Sequence, residues 1–266
     1  MLLGIDVGTS SIKAMIMEED GKIVGVKAKG YDVYIPQTGW AEQNPQEWWE
    51  ALCEILQGLK EEYPKAMNQI AGIGFSGQMH GLVAVDRGGI PVRPAIIWMD
   101  QRATEELEEI GEKISRDEQA KVFHNRVFNG FALPSLLWIK NHEPENFTRI
   151  YKIFQPKDYI RFRLTGEMGT EASDASASLF LENEPTSPGN VNYRPALGHL
   201  WRCCPCSPWG VTNMRQQVQF ITSGIWHTLW WPWSLPCFRP QGPHTQSLLI
   251  CWASWQLPLP SNPSEA

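Results

Sequence analysis

Lysine and aspartate are absent from the last 85 residues of this 266-residue chain, which hold only 7 of its 52 charged side chains. Cysteine is scarce in the other part. Of six cysteines only Cys53 lies before residue 182, so no disulfide framework or cysteine zinc site is expected there. The five later cysteines do not supply two C-x2-C knuckles, so the zinc reading fails in that part as well. There is no run of 18 apolar residues, which excludes a membrane-spanning helix. There is no surplus of positive charge: 23 Lys and Arg stand against 29 Asp and Glu, for a net charge of −6. Nucleic acid and anionic lipid are therefore excluded as main partners. The start, MLLGIDVGTSSIK, lacks the charged opening, apolar stretch and cleavage site of a secretory signal, and a cytoplasmic protein is expected.

What is present divides at Leu181. Residues 1–181 hold 45 charged side chains and 8 of 20 prolines; residues 182–266 hold 12 prolines and 8 of 13 tryptophans. The second stretch shows neither helical nor strand periodicity and is expected to be irregular. Read one base later, every Trp codon becomes a Gly codon and every Cys codon becomes Val or Ala. An out-of-frame or disordered tail is therefore the expectation for 182–266.

Residues 1–181 read as an α/β domain. Leu2 to Val7, Ile12 to Met17 and Lys22 to Tyr34 form an antiparallel meander, with Asp20-Gly21 as a hairpin signal. Asn44 caps a helix with Pro45 at its first position, and Trp48, Leu52, Ile55, Leu56 and Leu59 give it one apolar face up to Pro64. Ile70 to Ser76 and Leu82 to Val85 read as strands. Arg102 to Ile114, Leu133 to Asn141 and Lys157 to Leu164 read as helices, the last leading to a Thr165-Gly166 turn.

Four segments carry candidate chemistry. Asp6, Gly8, Thr9, Ser10 and Lys13 place a carboxylate at a strand end before a turn of small residues. Backbone N–H groups and hydroxyls of such a turn hold phosphate oxygens, and one carboxylate suits a hydrated Mg²⁺. An ordinary hairpin turn has equal standing on spacing alone. Gln78, Met79 and His80 lie between Gly77 and Gly81, and Gln78 and His80 offer donors and acceptors suited to hydroxyl groups; a structural histidine is the competing reading. Trp98, Asp100 and Arg102 put an aromatic plane beside a carboxylate and a guanidinium, a common way to hold a polyol, while Asp100 is also placed as a helix N-cap. Asp174 sits among small residues from Thr170 to Ser176, which either line a tight pocket or cap a helix.

Together and in order, these stretches resemble the FGGY carbohydrate kinases, and within them the xylulokinases. The resemblance is carried by LLGIDVGTSSIKAMIM, TGWAEQNPQEWWEAL, IAGIGFSGQMHGLVAVD, RPAIIWMDQRA and QPKDYIRFRLTGEMGTEASDASASLF, and covers about residues 1–181. It implies an actin-like, ribonuclease H-like ATPase domain, here incomplete. It implies ATP and Mg²⁺ as cofactors, with Asp6, Gly8 and Thr9 in the phosphate and Mg²⁺ region. Met79 and His80 would contact a ketose, with Trp98, Asp100, Arg102 and Asp174 near it. The implied reaction is transfer of the ATP γ-phosphoryl group to a ketose such as D-xylulose, by positioning and charge stabilisation with a carboxylate as base. The family places that base further along, before a second, nucleotide-binding domain, and no Asp follows Asp174 here. A catalytically inactive fragment that at most binds sugar is therefore the alternative.

Overall fold

The computed structural model describes residues 1–123, 125–170, 172–179 and 248–251. The chain opens with three antiparallel strands, β1 (Leu2–Val7), β2 (Ser11–Met17) and β3 (Ile23–Gly30). Their alternation sets Leu3, Ile5 and Val7 of β1 and Ile12, Ala14 and Ile16 of β2 on one buried face. The Asp20-Gly21 signal is a turn, with Gly21 at φ 92°.

After the two-residue strand β4 (Glu42–Gln43) comes helix α1 (Pro45–Glu62). The Asn44 side chain accepts from the Gln46 amide at 3.1 Å, and Pro45 occupies the first turn where no amide is needed. Trp48, Leu52, Ile55 and Leu59 are buried against the apolar face of β1 and β2. Each such side chain contributes roughly 1.5–3 kcal/mol by leaving water. Pro64 does not end helical structure outright: a one-turn helix, α2 (Pro64–Met67), follows the break at Tyr63.

Strand β5 (Gly72–Gly77) then pairs parallel to β1, so the carboxyl ends of both strands lie at one edge of the sheet. A small layer follows: β6 (Val83–Val85), β7 (Ala95–Ile96), α3 (Thr104–Lys113), α4 (Arg116–Phe123), α5 (Ala132–His142), α6 (Pro144–Arg149) and β8 (Lys152–Phe154). The pairing of β7 with β4 brings Trp40–Gln43 beside Trp98–Arg102. Helix α7 (Pro156–Thr165) ends at Gly166, whose φ of 75° makes the left-handed cap that the Thr165-Gly166 turn predicts. A short helix, α8 (Ala172–Ala177), closes this part.

The main sheet runs β3-β2-β1-β5-β9, with β9 (Leu248–Cys251) parallel to β5 in the register Gly72 to Leu248. These four residues pair with the open parallel edge at β5, and the rest of the stretch expected to be largely irregular lies outside the described residues. The expected boundary at Leu181 lies outside the described residues. Among the described residues no helix is long and apolar enough to cross a membrane.

Candidate functional site

The turn from Gly8 to Ser10 leaves the carboxyl end of β1. The Gly8 amide donates to the Ser11 carbonyl at 3.0 Å, and a Cβ on Gly8 would sit 3.0 Å from that oxygen and 3.8 Å from Asp6 Oδ2. A side chain here would crowd the turn, and the Asp6 carboxylate lies beside it. Asp6 is in register with Lys13 of β2 and Ser76 of β5, so the three side chains form a row across three strands, on the face opposite Ile5 and Val7. Lys13 and Ser10 are exposed.

Four other segments reach this turn. The Tyr31 hydroxyl donates to the Gly8 carbonyl. Gln43 Nε2 donates to the Thr9 carbonyl at 2.7 Å, and Gln78 Nε2 donates to Gln43 Oε1 at 2.8 Å and, at 3.5 Å, to the Gly8 carbonyl. The Trp98 indole donates to Thr9 Oγ1 at 2.9 Å, although Trp98 is 46% exposed. The first three sequence-predicted segments are therefore joined at one place. Burial, helped by the nearby Asp6 charge, pushes the Tyr31 phenol well above its ordinary value and keeps it a donor. Replacing Tyr31 by Phe is expected to cost about 1 kcal/mol, read by urea unfolding, because the Gly8 carbonyl loses its shortest contact.

His80 follows β5 with a φ of 62°, an uncommon conformation for a residue with a side chain. Its ring stacks on Phe131, with centroids 4.0 Å apart. Burial lowers its pKa from the usual imidazole range, against the Asp174 carboxylate and a hydrogen bond with the Ala177 carbonyl, which raise it. Nδ1 is buried and has no hydrogen-bond partner among the described residues. Gln78 is 9% exposed, and its Oε1 is likewise without a partner. Two acceptors on one loop are thus left for a donor from outside. Met79 beside them is half-buried.

Asp100 and Arg102 are placed differently from the expectation. Asp100 does not cap α3, which begins at Thr104 with Ala103 before it. Its carboxylate instead accepts from the Ala41 amide at 2.6 Å, the Arg102 amide at 2.9 Å and the Arg102 guanidinium at 2.7 Å. Arg102 also pairs with Glu42 at 2.7 Å, and its guanidinium carbon lies over Trp40, 3.8 Å from the ring centroid. Its side chain is 1% exposed. Both groups face this buried network, which carries the chain that presents Trp98. Asp174 is also buried, 2.8 Å from Lys157 Nζ.

Several residues here carry no signal in a single sequence. Gln43, Tyr31, Phe131 and Lys157 reach the site by pairings between distant segments. Gly130 is another: its φ is 81°, and a Cβ there would lie 1.9 Å from the Trp98 carbonyl oxygen. Among the described residues no three His, Cys, Asp or Glu side chains come together to hold a metal ion. A groove of about 680 Å³ lined by Tyr34, Pro45, Ile90, Pro91, Tyr159 and Arg163 includes none of the candidate residues.

Residues 1–184 match the family model described as the N-terminal domain of the FGGY family of carbohydrate kinases. The chain belongs to the FGGY family of carbohydrate kinases. This FGGY chain is 42% identical to the xylulose kinase of Staphylococcus xylosus over 228 residues, 86% of this chain and 46% of that protein. It is 41% identical to the xylulose kinase of Bacillus subtilis over 180 residues, 68% of this chain and 36% of that protein. A solved xylulose kinase structure from Brucella ovis superposes with a TM-score of 0.65 at 37% identity, over 67% of this chain and 36% of that one. The chain spans less than half the length of these relatives. The expected actin-like ATPase fold is thus the fold of this FGGY chain.

Proposed function

We propose that this chain supplies the sugar-binding part of a xylulokinase-type site, serving transfer of the ATP γ-phosphoryl group to a ketose such as D-xylulose. The observation that carries the reading is the loop after β5, where His80 Nδ1 and Gln78 Oε1 are buried acceptors without partners. They lie on the loop that follows β5, while the turn that follows the parallel β1 is tied to Trp98. Ligands of sheets of this kind gather outside the carboxyl ends of parallel strands. A ketose presents hydroxyl donors to such acceptors and an apolar ring or chain edge to an exposed indole such as Trp98. In this reading Met79 and Asp174 flank the sugar, and Asp100 and Arg102 hold the loop that presents Trp98.

The Gly8–Ser10 turn fits nucleotide phosphate. A side chain at Gly8 would crowd the Ser11 carbonyl, Ser10 and Lys13 are exposed beside it, and a single carboxylate, Asp6, lies next to the turn. Mg²⁺ favours one or two carboxylates together with waters and phosphate oxygens. Asp6 would hold the ion through water, and the bound Mg²⁺ nucleotide supplies the phosphoryl group and the neutralising charge. The sugar hydroxyl's proton needs a carboxylate within hydrogen-bond reach. The second reading is that these 266 residues by themselves bind sugar without turnover.

His80→Ala is expected to weaken D-xylulose binding about tenfold in titration calorimetry, the loss of one buried hydrogen bond. No heat of binding for the unsubstituted chain would sink the proposal, and a coupled ADP-release assay separates binding from turnover. The pH dependence has a fixed sign. Because burial lowers the His80 pKa below the usual 6.5, the ring is a neutral acceptor at neutral pH and becomes a cation only below that value. Ketose affinity is therefore expected to be level from pH 7 to 8 and to fall on the acid side of 6.5.

A further inference from the structure

The first turn of α7 lies directly beneath the loop that carries Gln78 and His80. A Cβ on Gly77 would sit 3.1 Å from Lys157 Cβ, and one on Gly81 would sit 2.9 Å from Pro156 Cγ. Lys157 is a fully buried ammonium group. Its Nζ lies 3.0 Å from Asp158 Oδ1 and 2.8 Å from Asp174 Oδ2, and Thr170 Oγ1 donates to the other Asp158 oxygen at 2.6 Å. A lysine is rarely buried without such pairing. Asp174 is on α8, whose Ala177 carbonyl hydrogen-bonds the His80 ring. Ser178 anchors the end of that helix to Gln155, just before α7.

We propose that Lys157 is a positioning residue for this site: by bridging Asp158 and Asp174 it ties α8 to α7 beneath the loop after β5, and so fixes the place and the electrostatic surroundings of the His80 ring. Lys157 is too deeply buried to touch a ligand itself. Among the described residues Asp174 is the charged side chain that acts on the ring, from α8. Lys157 and Asp158 act on it from α7 through Asp174, and Phe131, which precedes α5, presents only an uncharged ring. Lys157 Nζ thus lies between the two carboxylates of Asp158 and Asp174. Burial of the ring keeps His80 a neutral acceptor at neutral pH, and Lys157 offsets the Asp174 charge that works against it.

The functional consequence rests on the reading of His80 as a ketose ligand, but the test does not. The His80 titration midpoint is read by NMR of the ligand-free 266-residue chain with ¹³C-labelled histidine, the resonance being assigned with His80→Ala. Asp174→Asn removes the charge that favours the imidazolium and is expected to lower the midpoint. Lys157→Met removes the Lys157 charge from beside Asp174 and is expected to raise it by about one pH unit. Lys157→Arg is expected to leave it in place. Opposite shifts support the proposal, because mere loosening of the loop would move both variants the same way. Unchanged midpoints, or shifts of one sign, overturn it. If circular dichroism shows that Lys157→Met does not fold, Lys157→Gln decides: a raised midpoint supports the proposal and an unchanged one overturns it. Opposite shifts without D-xylulose binding by the unsubstituted chain would overturn the functional reading and leave the positioning role standing.

Discussion

Gly130→Ala is expected to destabilise the fold by about 4 kcal/mol, the sum of a left-handed backbone penalty and an overpacked contact. Gly130 holds a φ of 81°, and its missing Cβ would fall 1.9 Å from the Trp98 carbonyl oxygen and 2.7 Å from the carbonyl carbon. Both obstacles are backbone, so no side-chain rotation relieves them. The Trp98 main chain must move, and with it the indole that donates to Thr9 Oγ1. Denaturant unfolding reads the loss. Gly111→Ala is the control: Gly111 lies within α3, no atom stands within 4 Å of its added Cβ, and a gain of roughly 1 kcal/mol is expected from helix propensity alone. Equal effects of the two substitutions would show that the approach to Trp98 carries no weight.

Glu42→Ala is expected to cost about 2–3 kcal/mol, because it takes one charged partner from each of two buried guanidinium groups. Glu42 pairs with Arg93 and Arg102, whose side chains are 7% and 1% exposed. Burial works against the Arg93 charge, and Glu42 is the strongest of the carboxylates that restore it. Arg102 retains Asp100 and the Trp40 ring, and Arg93 retains Glu143, so the network is weakened rather than emptied. Replacing the i, i+4 surface partner Glu18, which meets Lys22 at 3.4 Å in the open, is expected to change stability by less than about 1 kcal/mol. Urea unfolding of the two variants side by side measures the contrast, and similar midpoints would contradict it.

The local parts of this fold are legible in one sequence. The Asn44 cap, Pro45 and the apolar spacing from Trp48 to Leu59 specify α1 by interactions within four residues, and the structure extends it only to Glu62. The Asp20-Gly21 turn and the Gly166 cap are local for the same reason. Strands β4 and β7 are two residues each and exist only through their pairing, so no period announces them. Asp100 shows the same limit at the site. Its position before a helix suggests a cap, but its partners Ala41 and Glu42-bound Arg102 come from a segment about 60 residues earlier and from its own turn. Candidate chemistry was readable as residue types on glycine-flanked loops. Which side chain faces a ligand and which supports it depends on buried partners that spacing does not encode.

The Gly8–Ser10 turn has a kinetic consequence. Its holders stand 23, 34, 70 and 89 residues away along the chain, at Tyr31, Gln43, Gln78 and Trp98. Each long closure costs chain entropy that is recovered only once the intervening elements are in place. The hairpin of β1 and β2 can form early, yet the clasp on its turn is a late event of folding. Any change that slows the docking of the layer bearing Trp98 delays this turn, however far from it the change is made.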